Sequence, residues 1–308
     1  MIEQATGLFT HPDCVKHTMP GHPERPERLV SVMERLRQSG LLRSMKQHMA
    51  AIASDEDLSL VHPGSFIRHV ADSSPANETI RLDPDTYMSP GSLTAARLAA
   101  GACLQATDAV ASGALRRAFC AVRPPGHHAE IATAMGFCLF NNVALAAERA
   151  LQSAHIDRVA ILDFDVHHCN GTVDIFKDRP EVMVCSSFQD DFYPYRYLDY
   201  RNDHIITTPL AAGTIGRDFQ RAIASSWFPA IETFRPDLFL ISAGFDADEA
   251  DPVGELRLGS YDFRWVTERI SELANDHADG RIVSTLEGGY DLDALADGVE
   301  AHVESLMV

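Results

Sequence analysis

The chain has 308 residues, 45% of them hydrophobic, with 44 acidic against 26 basic side chains and a formal charge of −18. Non-specific nucleic-acid binding needs a basic footprint and is disfavoured by this balance, and no apolar run approaches the roughly 20 residues that span a bilayer. An acidic surface would help attract a cationic substrate such as a polyamine or a lysine-rich peptide, although solubility alone accounts for it equally well.

In chain order, the stretch MIEQATGLFTHPDC comes first and lacks the basic-then-apolar order of a secretion signal. Helices are predicted over 27–38 and 92–111, a strand over 118–122, a helix over 141–152, and strands over 159–164 and 181–187. A helix over 218–234, a strand over 237–242, a helix over 262–275, a strand over 281–286 and a helix over 292–306 complete the series. Such alternation predicts a mainly parallel sheet with helices on both faces. No repeat or linker interrupts it, so residues 1–308 are read as one domain. Six cysteines without CxxC spacing read as reduced, buried thiols of a cytoplasmic protein.

The segments that follow the strands carry the chemistry. RPPGHHAE follows 118–122, DFDVHHCN closes 159–164, AGFDADEADP follows 237–242 and EGGYD follows 281–286. In parallel α/β sheets the crevice at the carboxyl ends of the strands is where ligands bind. Side chains two apart along a strand share a face, which would put Asp163, Asp165 and His167 on one side. Asp165 and His167 can reach a common cation, with Asp246 as a third ligand and at least one coordination position left open. That set suits Zn²⁺, with Fe²⁺ as an alternative. His127 and His128 follow the stiff turn Pro124-Pro125-Gly126 and could act as base and acid towards a metal-bound water. Asp163 and Asn170 are available to hold their second nitrogens. A carboxylate partner stabilises imidazolium more than an amide does, so the two histidines should differ in basicity. Tyr290, after Gly288-Gly289, could polarise a carbonyl across from the metal.

Taken together, RPPGHHAE, MGFCLFNNVALAA, DFDVHHCNGT, SAGFDA and LEGGY resemble the metal-dependent histone deacetylase family in order and spacing. HPERPER and DPDTYMSPGSLTAA match its earlier blocks. The resemblance runs from about Gly7 to Leu295, nearest to class II and bacterial deacetylase-like amidohydrolases, with acetylpolyamine amidohydrolases as relatives. It implies an arginase/deacetylase-like three-layer α/β/α fold around an eight-stranded parallel sheet. It also implies zinc on Asp165, His167 and Asp246, His127 and His128 as catalytic histidines backed by Asp163 and Asn170, and Tyr290 as the carbonyl-polarising residue. A structural K⁺ would use Asp163, Asp165, His167, Ser186 and Ser187. A second, peripheral K⁺ would use carbonyls near Phe176, Arg179 and Val182.

The same resemblance implies a tunnel lined by Gly136, Phe137 and Tyr193, with Asp85 at the rim. Val253 stands where a glutamate marks polyamine-selective members, and Glu255 would compensate only if its loop turned inward. Residues 193–204 replace a glycine-rich pattern common in relatives, and Cys169 stands where many carry Gly. The expected reaction is hydrolysis of an N-acyl amine, most directly acetyl-lysine in a peptide or protein, with an acetylated polyamine as the alternative. Neither nucleic acid nor membrane is an expected partner, and a homo-oligomer is a further option. Two rivals are an arginase-like ureohydrolase, disfavoured because Cys169 replaces the extra aspartate, and a non-catalytic acyl-lysine binder.

Overall fold

A computed structural model describes residues 6–308. The first five residues, part of the stretch read above as lacking a secretion signal, lie outside the described residues. Eight strands form one sheet: β1 (Thr6–Thr10), β2 (Lys46–Met49), β3 (Arg117–Cys120), β4 (Val159–Asp163), β5 (Val182–Gln189), β6 (Ile205–Leu210), β7 (Leu238–Ala243) and β8 (Ile282–Leu286). Their spatial order is β2-β1-β3-β8-β7-β4-β5-β6, and every pairing is parallel.

The helices used below are α1 (Glu27–Gln38), α2 (Gly64–Asp72), α3 (Ser92–Ala111), α4 (Asn142–Leu151), α5 (Asn170–Phe176), α6 (Gly216–Phe234), α7 (Ser260–His277) and α8 (Leu292–Leu306). Helices α3, α4 and α5 cover one face, while α1, α6, α7 and α8 cover the other. Strands β3, β4, β7 and β8 are buried along their whole length, which is why they read as continuous apolar runs rather than alternating ones. Alanine-rich α3 is buried on most sides. A β-carbon at its Gly101 would collide with the Ala51 carbonyl, so the close approach requires glycine.

The expected strands and helices are present to within one or two residues at each end. Strands β1, β2 and β6 and helices α2 and α5 were not anticipated. Edge strand β2 is the polar run KQHM, and edge strand β6 contains Pro209, tolerated there because an edge has hydrogen-bonding groups to spare. Helix α5 opens on Asn-Gly, an ordinary turn signal. Among the described residues no helix is long and apolar enough to cross a membrane.

The topology decides what meets what. Strands β3, β8, β7 and β4 are consecutive in the sheet, so the four polar strand ends stand side by side. Asp163 at the end of β4 lies in register with Ser186 of β5 on one side and Ser242 of β7 on the other.

Candidate active site and metal centre

Strand β4 stops at Asp163, so Asp165 and His167 lie in the turn beyond it and strand alternation does not bring them together. The device is local. Asp163 Oδ1 accepts from the Asp165 amide at 3.1 Å, and Asp165 Oδ1 accepts from the His167 amide at 2.9 Å. These are two successive Asx-type turns, in which an aspartate side chain bonds the backbone two residues on. The His167 Nδ1 then lies 2.9 Å from Asp165 Oδ1 and 3.2 Å from Asp246 Oδ2. Asp246, just past β7, is oriented by the Val166 amide at 2.9 Å.

Asp165, His167 and Asp246 each offer one ligand atom, and these atoms all lie within 4.8 Å of one another in a buried cluster. Apart from the 3.2 Å approach of His167 Nδ1, Asp246 Oδ2 makes no hydrogen bond, and a buried carboxylate oxygen so poorly served is costly unless a cation offsets it. Two glycines make the carboxylates' approach feasible. A β-carbon at Gly244 would overlap Asp165 Oδ2, and one at Gly288 would overlap both Asp246 Oδ2 and Asp165 Oδ2. The donor set of two carboxylates and one imidazole fits a divalent metal.

His127 and His128 sit beside this cluster with ring centroids 4.0 Å apart. His127 Nδ1 meets Asp163 Oδ2 at 3.0 Å, and His128 Nδ1 meets Asn170 Oδ1 at 2.7 Å. The two differ as their partners do. Burial alone would depress His127, but the Asp163 and Asp165 carboxylates outweigh it and push the ring up to about 10. Burial, with His127 and His167 nearby, drives His128 well below the ordinary imidazole value. Burial also lifts the Asp246 and Glu287 carboxyls to about 7 each, Asp246 with help from Asp165. The cluster is therefore rich in crowded carboxylates, a setting that favours bound cations.

Tyr290 is buried at the end of the Gly288-Gly289 turn, where Gly289 adopts a φ of 120°. Its amide and that of Asp291 donate to Asp251 Oδ2 at 2.6 and 3.2 Å. The Arg28 guanidinium lies 4.9 Å from the phenol ring centre and donates to the Gly289 carbonyl and, at 2.5 Å, to the Glu287 carbonyl. Burial and the Asp246 carboxylate push the phenol well above its usual range, so it stays a hydrogen-bond donor.

Gly136 has a φ of 57°, and a β-carbon there would strike the His128 ring. Phe137 follows with a φ of 67° and places its ring edge-on to Tyr290, with centroids 6.0 Å apart. Tyr193 stands edge-on to His128 at 5.2 Å. Asp85 Oδ1 accepts from the Gly136 amide at 3.1 Å, so this carboxylate braces the turn that carries Phe137. Val253 is half-buried, its amide donating to Asp251 Oδ1 at 2.9 Å. Glu255 is held away on Gln189: its Oε2 accepts from Gln189 Nε2 at 2.9 Å and its amide donates to Gln189 Oε1 at 2.8 Å. A cavity of ≈ 560 Å³ opens beside Tyr290 between the 18–27 segment and Pro252.

Ser186 and Ser187 are buried on β5 beside Asp163, and Ser186 Oγ lies 2.9 Å from His168 Nδ1. In the turn after α5, the Phe176 carbonyl accepts from Arg179 N at 2.9 Å and the Arg179 carbonyl from Val182 N at 3.0 Å. Two of the three carbonyls expected near a peripheral cation, those of Phe176 and Arg179, thus also serve the turn.

Sequence reasoning missed the supports. Glu287 is wholly buried and accepts from the Gly126 and His127 amides at 2.6 and 3.1 Å. Glu24 accepts from Arg123 at 2.5 and 2.6 Å and from Arg28 at 3.1 Å. The signal lay in HPERPER, in the Arg before PPGHH and in the Glu of EGGY: charged residues inside motifs that lead to a buried site.

The parallel eight-stranded sheet and its flanking helices define an arginase/deacetylase-like three-layer α/β/α fold. A solved structure described as "Crystal Structure of HDA15 HD domain" superposes on it with a TM-score of 0.93 at 31% identity, over 99% of this chain and 88% of that one. A family profile described as "Histone deacetylase domain" matches residues 22–306, and the chain belongs to the histone deacetylase family, whose members hydrolyse acetyl amides. It is 39% identical over 277 residues to the "Histone deacetylase-like amidohydrolase" of Pseudomonas aeruginosa, covering 88% of this chain and 73% of that protein. It is 37% identical over 317 residues to the "Polyamine deacetylase HDAC10" of Homo sapiens, covering 97% of this chain and 46% of that protein. A "Probable deacetylase" of Archaeoglobus fulgidus is 34% identical over 297 residues, covering 94% and 82% of the two chains.

Proposed function

We propose that the chain, acting as a single domain, removes acetyl groups from lysine side chains of peptides or proteins. The observation that supports this best is the convergence of three buried ligand residues with two histidines in unlike surroundings and a phenol held as a donor. Asp165, His167 and Asp246 would hold a divalent metal, zinc in preference to iron(II), which supplies Lewis acidity towards water and the acyl carbonyl. Potassium would be held by Asp163, Asp165, His167, Ser186 and Ser187, offsetting the crowded carboxylates.

His128, kept neutral and bonded to Asn170 through Nδ1, takes a proton from the attacking water at Nε2 and returns it to the leaving amine. His127, held protonated against Asp163, steadies the negative charge that develops. The Tyr290 hydroxyl donates to the acyl oxygen as it becomes an oxyanion. Phe137 and Tyr193 flank an extended methylene chain, and Asp85 holds the turn that aims Phe137. The six free, buried cysteines fit a cytoplasmic setting.

An acetylated polyamine is the second reading, favoured by the charge of −18 and by the similarity to a polyamine deacetylase. Half-buried Val253 and the capture of Glu255 by Gln189 favour the lysine substrate. The test is acetate release by metal-loaded protein from an acetyl-lysine peptide against N-acetylputrescine and N-acetylspermidine. Higher kcat/KM on the peptide is expected; higher turnover of the polyamines reverses the substrate assignment. Tyr290→Phe should lower kcat by about 10²–10³-fold while metal content stays unchanged, and an undiminished kcat would sink the mechanism.

A further inference from the structure

Asn170 has a carboxamide whose two ends are alike in shape and opposite in hydrogen-bonding sense, so its neighbours decide which end faces His128. One neighbour is Glu130, buried in the turn after the histidine pair. Glu130 Oε2 accepts from Arg196 Nη1 at 2.6 Å, and Oε1 accepts from Asn170 Nδ2 at 2.9 Å. An ionised carboxylate has only acceptors to offer. The NH₂ end of Asn170 must therefore face Glu130, where it also lies 3.4 Å from the His128 carbonyl and 3.3 Å from Met135 Sδ.

The oxygen end is left for His128 Nδ1 at 2.7 Å. An acceptor at that place requires the ring proton on Nδ1, which leaves the lone pair on Nε2. His127 needs no such device. Its partner Asp163 is a carboxylate, which accepts whichever way it turns.

We propose that Glu130, anchored by Arg196, is a positioning residue that orients the Asn170 amide and thereby holds His128 in its Nδ1–H tautomer. The inference rests on the assignment of His128 as the proton acceptor. It also ties the chemistry to the rim. Arg196 belongs to the 193–204 segment, half-exposed at 51%, and the same segment supplies Tyr193, whose ring packs on His128. Tyr197 of that segment is fastened separately, its hydroxyl donating to Asp174 Oδ1 at 2.8 Å. The segment that shapes the entrance thus also completes the hydrogen-bonded chain Arg196–Glu130–Asn170–His128.

The experiment uses the metal-loaded full chain and four variants. Glu130→Gln is close to isosteric and should keep the fold, but it can present its own NH₂ to Asn170 and so release the amide to flip. We expect kcat to fall by about 10–100-fold, the range for loss of an outer partner, with KM within about twofold. Arg196→Ala should give a smaller loss in the same direction, and Arg196→Lys should recover part of it. The decisive variant is the double Glu130→Gln/Asn170→Asp. There the introduced glutamine accepts from Arg196 and donates to the introduced aspartate, which accepts from His128, so the chain is restored with one link reversed. Its kcat should exceed that of Glu130→Gln alone, a coupling that a purely structural residue would not produce.

Long-range ¹H–¹⁵N spectra of ¹⁵N-histidine-labelled protein give a readout independent of turnover. His128, assigned by difference against His128→Ala, should carry its proton on Nδ1 in the wild type. Glu130→Gln should shift it towards Nε2, and the double variant should return it. Unchanged tautomer and kcat in Glu130→Gln would overturn the proposal, as would a double variant no better than the single one. If the wild type released no acetate from any substrate while the tautomer still followed the residue at position 130, the positioning role would stand and the deacetylase assignment would fall.

Discussion

At the floor of the site, Asp163, Asp165, His167 and Asp246 are buried on adjoining strand ends, and each is aimed by a backbone amide or an aspartate two residues away. At the rim, Arg196, Tyr197 and Glu255 are held by side chains of elements remote in sequence: Glu130, Asp174 and Gln189. The floor is organised by short-range bonds within one turn and by the sheet register. The rim is organised by ion pairs and amides in which one partner is reached by solvent. The two regions meet in the Arg196–Glu130–Asn170 links, through which a rim side chain reaches the histidine beside the floor.

The largest expected effect lies at the floor. Asp246→Ala removes the carboxylate oxygen of the candidate metal cluster that makes no hydrogen bond meeting ordinary geometry. Bound metal measured by mass spectrometry should drop well below one equivalent, and kcat/KM should fall by at least ~10³-fold. Retained metal and activity would mean that the cluster is merely structural.

Acid should act next, on the buried groups that frame the floor. Burial depresses His62 to about 4 and His302 to about 3, so both are neutral in the fold and take up protons more readily when unfolded. Glu24 is held near 2: its burial alone would raise it, but Arg123, His17 and Arg28 outweigh that. In all three the folded value lies below the unfolded one, so their stabilisation is complete above the unfolded pKa and is lost as pH falls towards the folded one. The histidines lose theirs from about pH 6.5 down to 4 or 3, and Glu24 from about 4.5 to 2. Taken singly, each buried histidine costs about 2 kcal/mol between pH 7 and pH 5, so the acid-induced change in Tm over that range should be less destabilising in a His302→Gln variant than in the wild type. The same pH dependence in both would contradict the burial argument.

Gly288→Ala probes the crowding directly, since the added methyl would overlap two ligand carboxylates. A loss of about 1–3 kcal/mol in thermal unfolding is expected, together with weaker metal retention during dialysis against a chelator. Stability and metal affinity equal to wild type would show that the carboxylates have room to spare.

The smallest effect belongs to the rim. Val253→Glu should leave the acetyl-lysine kcat within about twofold while raising kcat/KM for acetylspermidine about tenfold, the equivalent of ~1.4 kcal/mol for one charge placed near a cationic substrate. An unchanged ratio would locate selectivity elsewhere on the acidic surface.

Much of this was legible beforehand. Five strands, β3, β4, β5, β7 and β8, and six long helices were readable because buried parallel strands give largely apolar runs and the long helices give amphipathic ones. The residues of the candidate cluster could be named because ionisable groups at the ends of apolar strands have few bland explanations. The edge strands β2 and β6 could not be read, since one is polar and the other carries a proline, and only pairing with β1 and β5 makes them strands.

What the sequence determined by itself was the inventory: which strand ends carry carboxylates, imidazoles and glycines, and through its resemblance the family. Only the tertiary structure decided how they act together. The order β3-β8-β7-β4 sets chain segments far apart in sequence side by side, consecutive Asx turns replace strand alternation in aiming Asp165 and His167, and Glu130 orients an amide that spacing alone leaves free to face either way. The physical reason is range. Propensity and apolar periodicity act over a few residues and are written locally, whereas the direction of a hydrogen bond depends on partners that only the folded chain brings within about 3 Å.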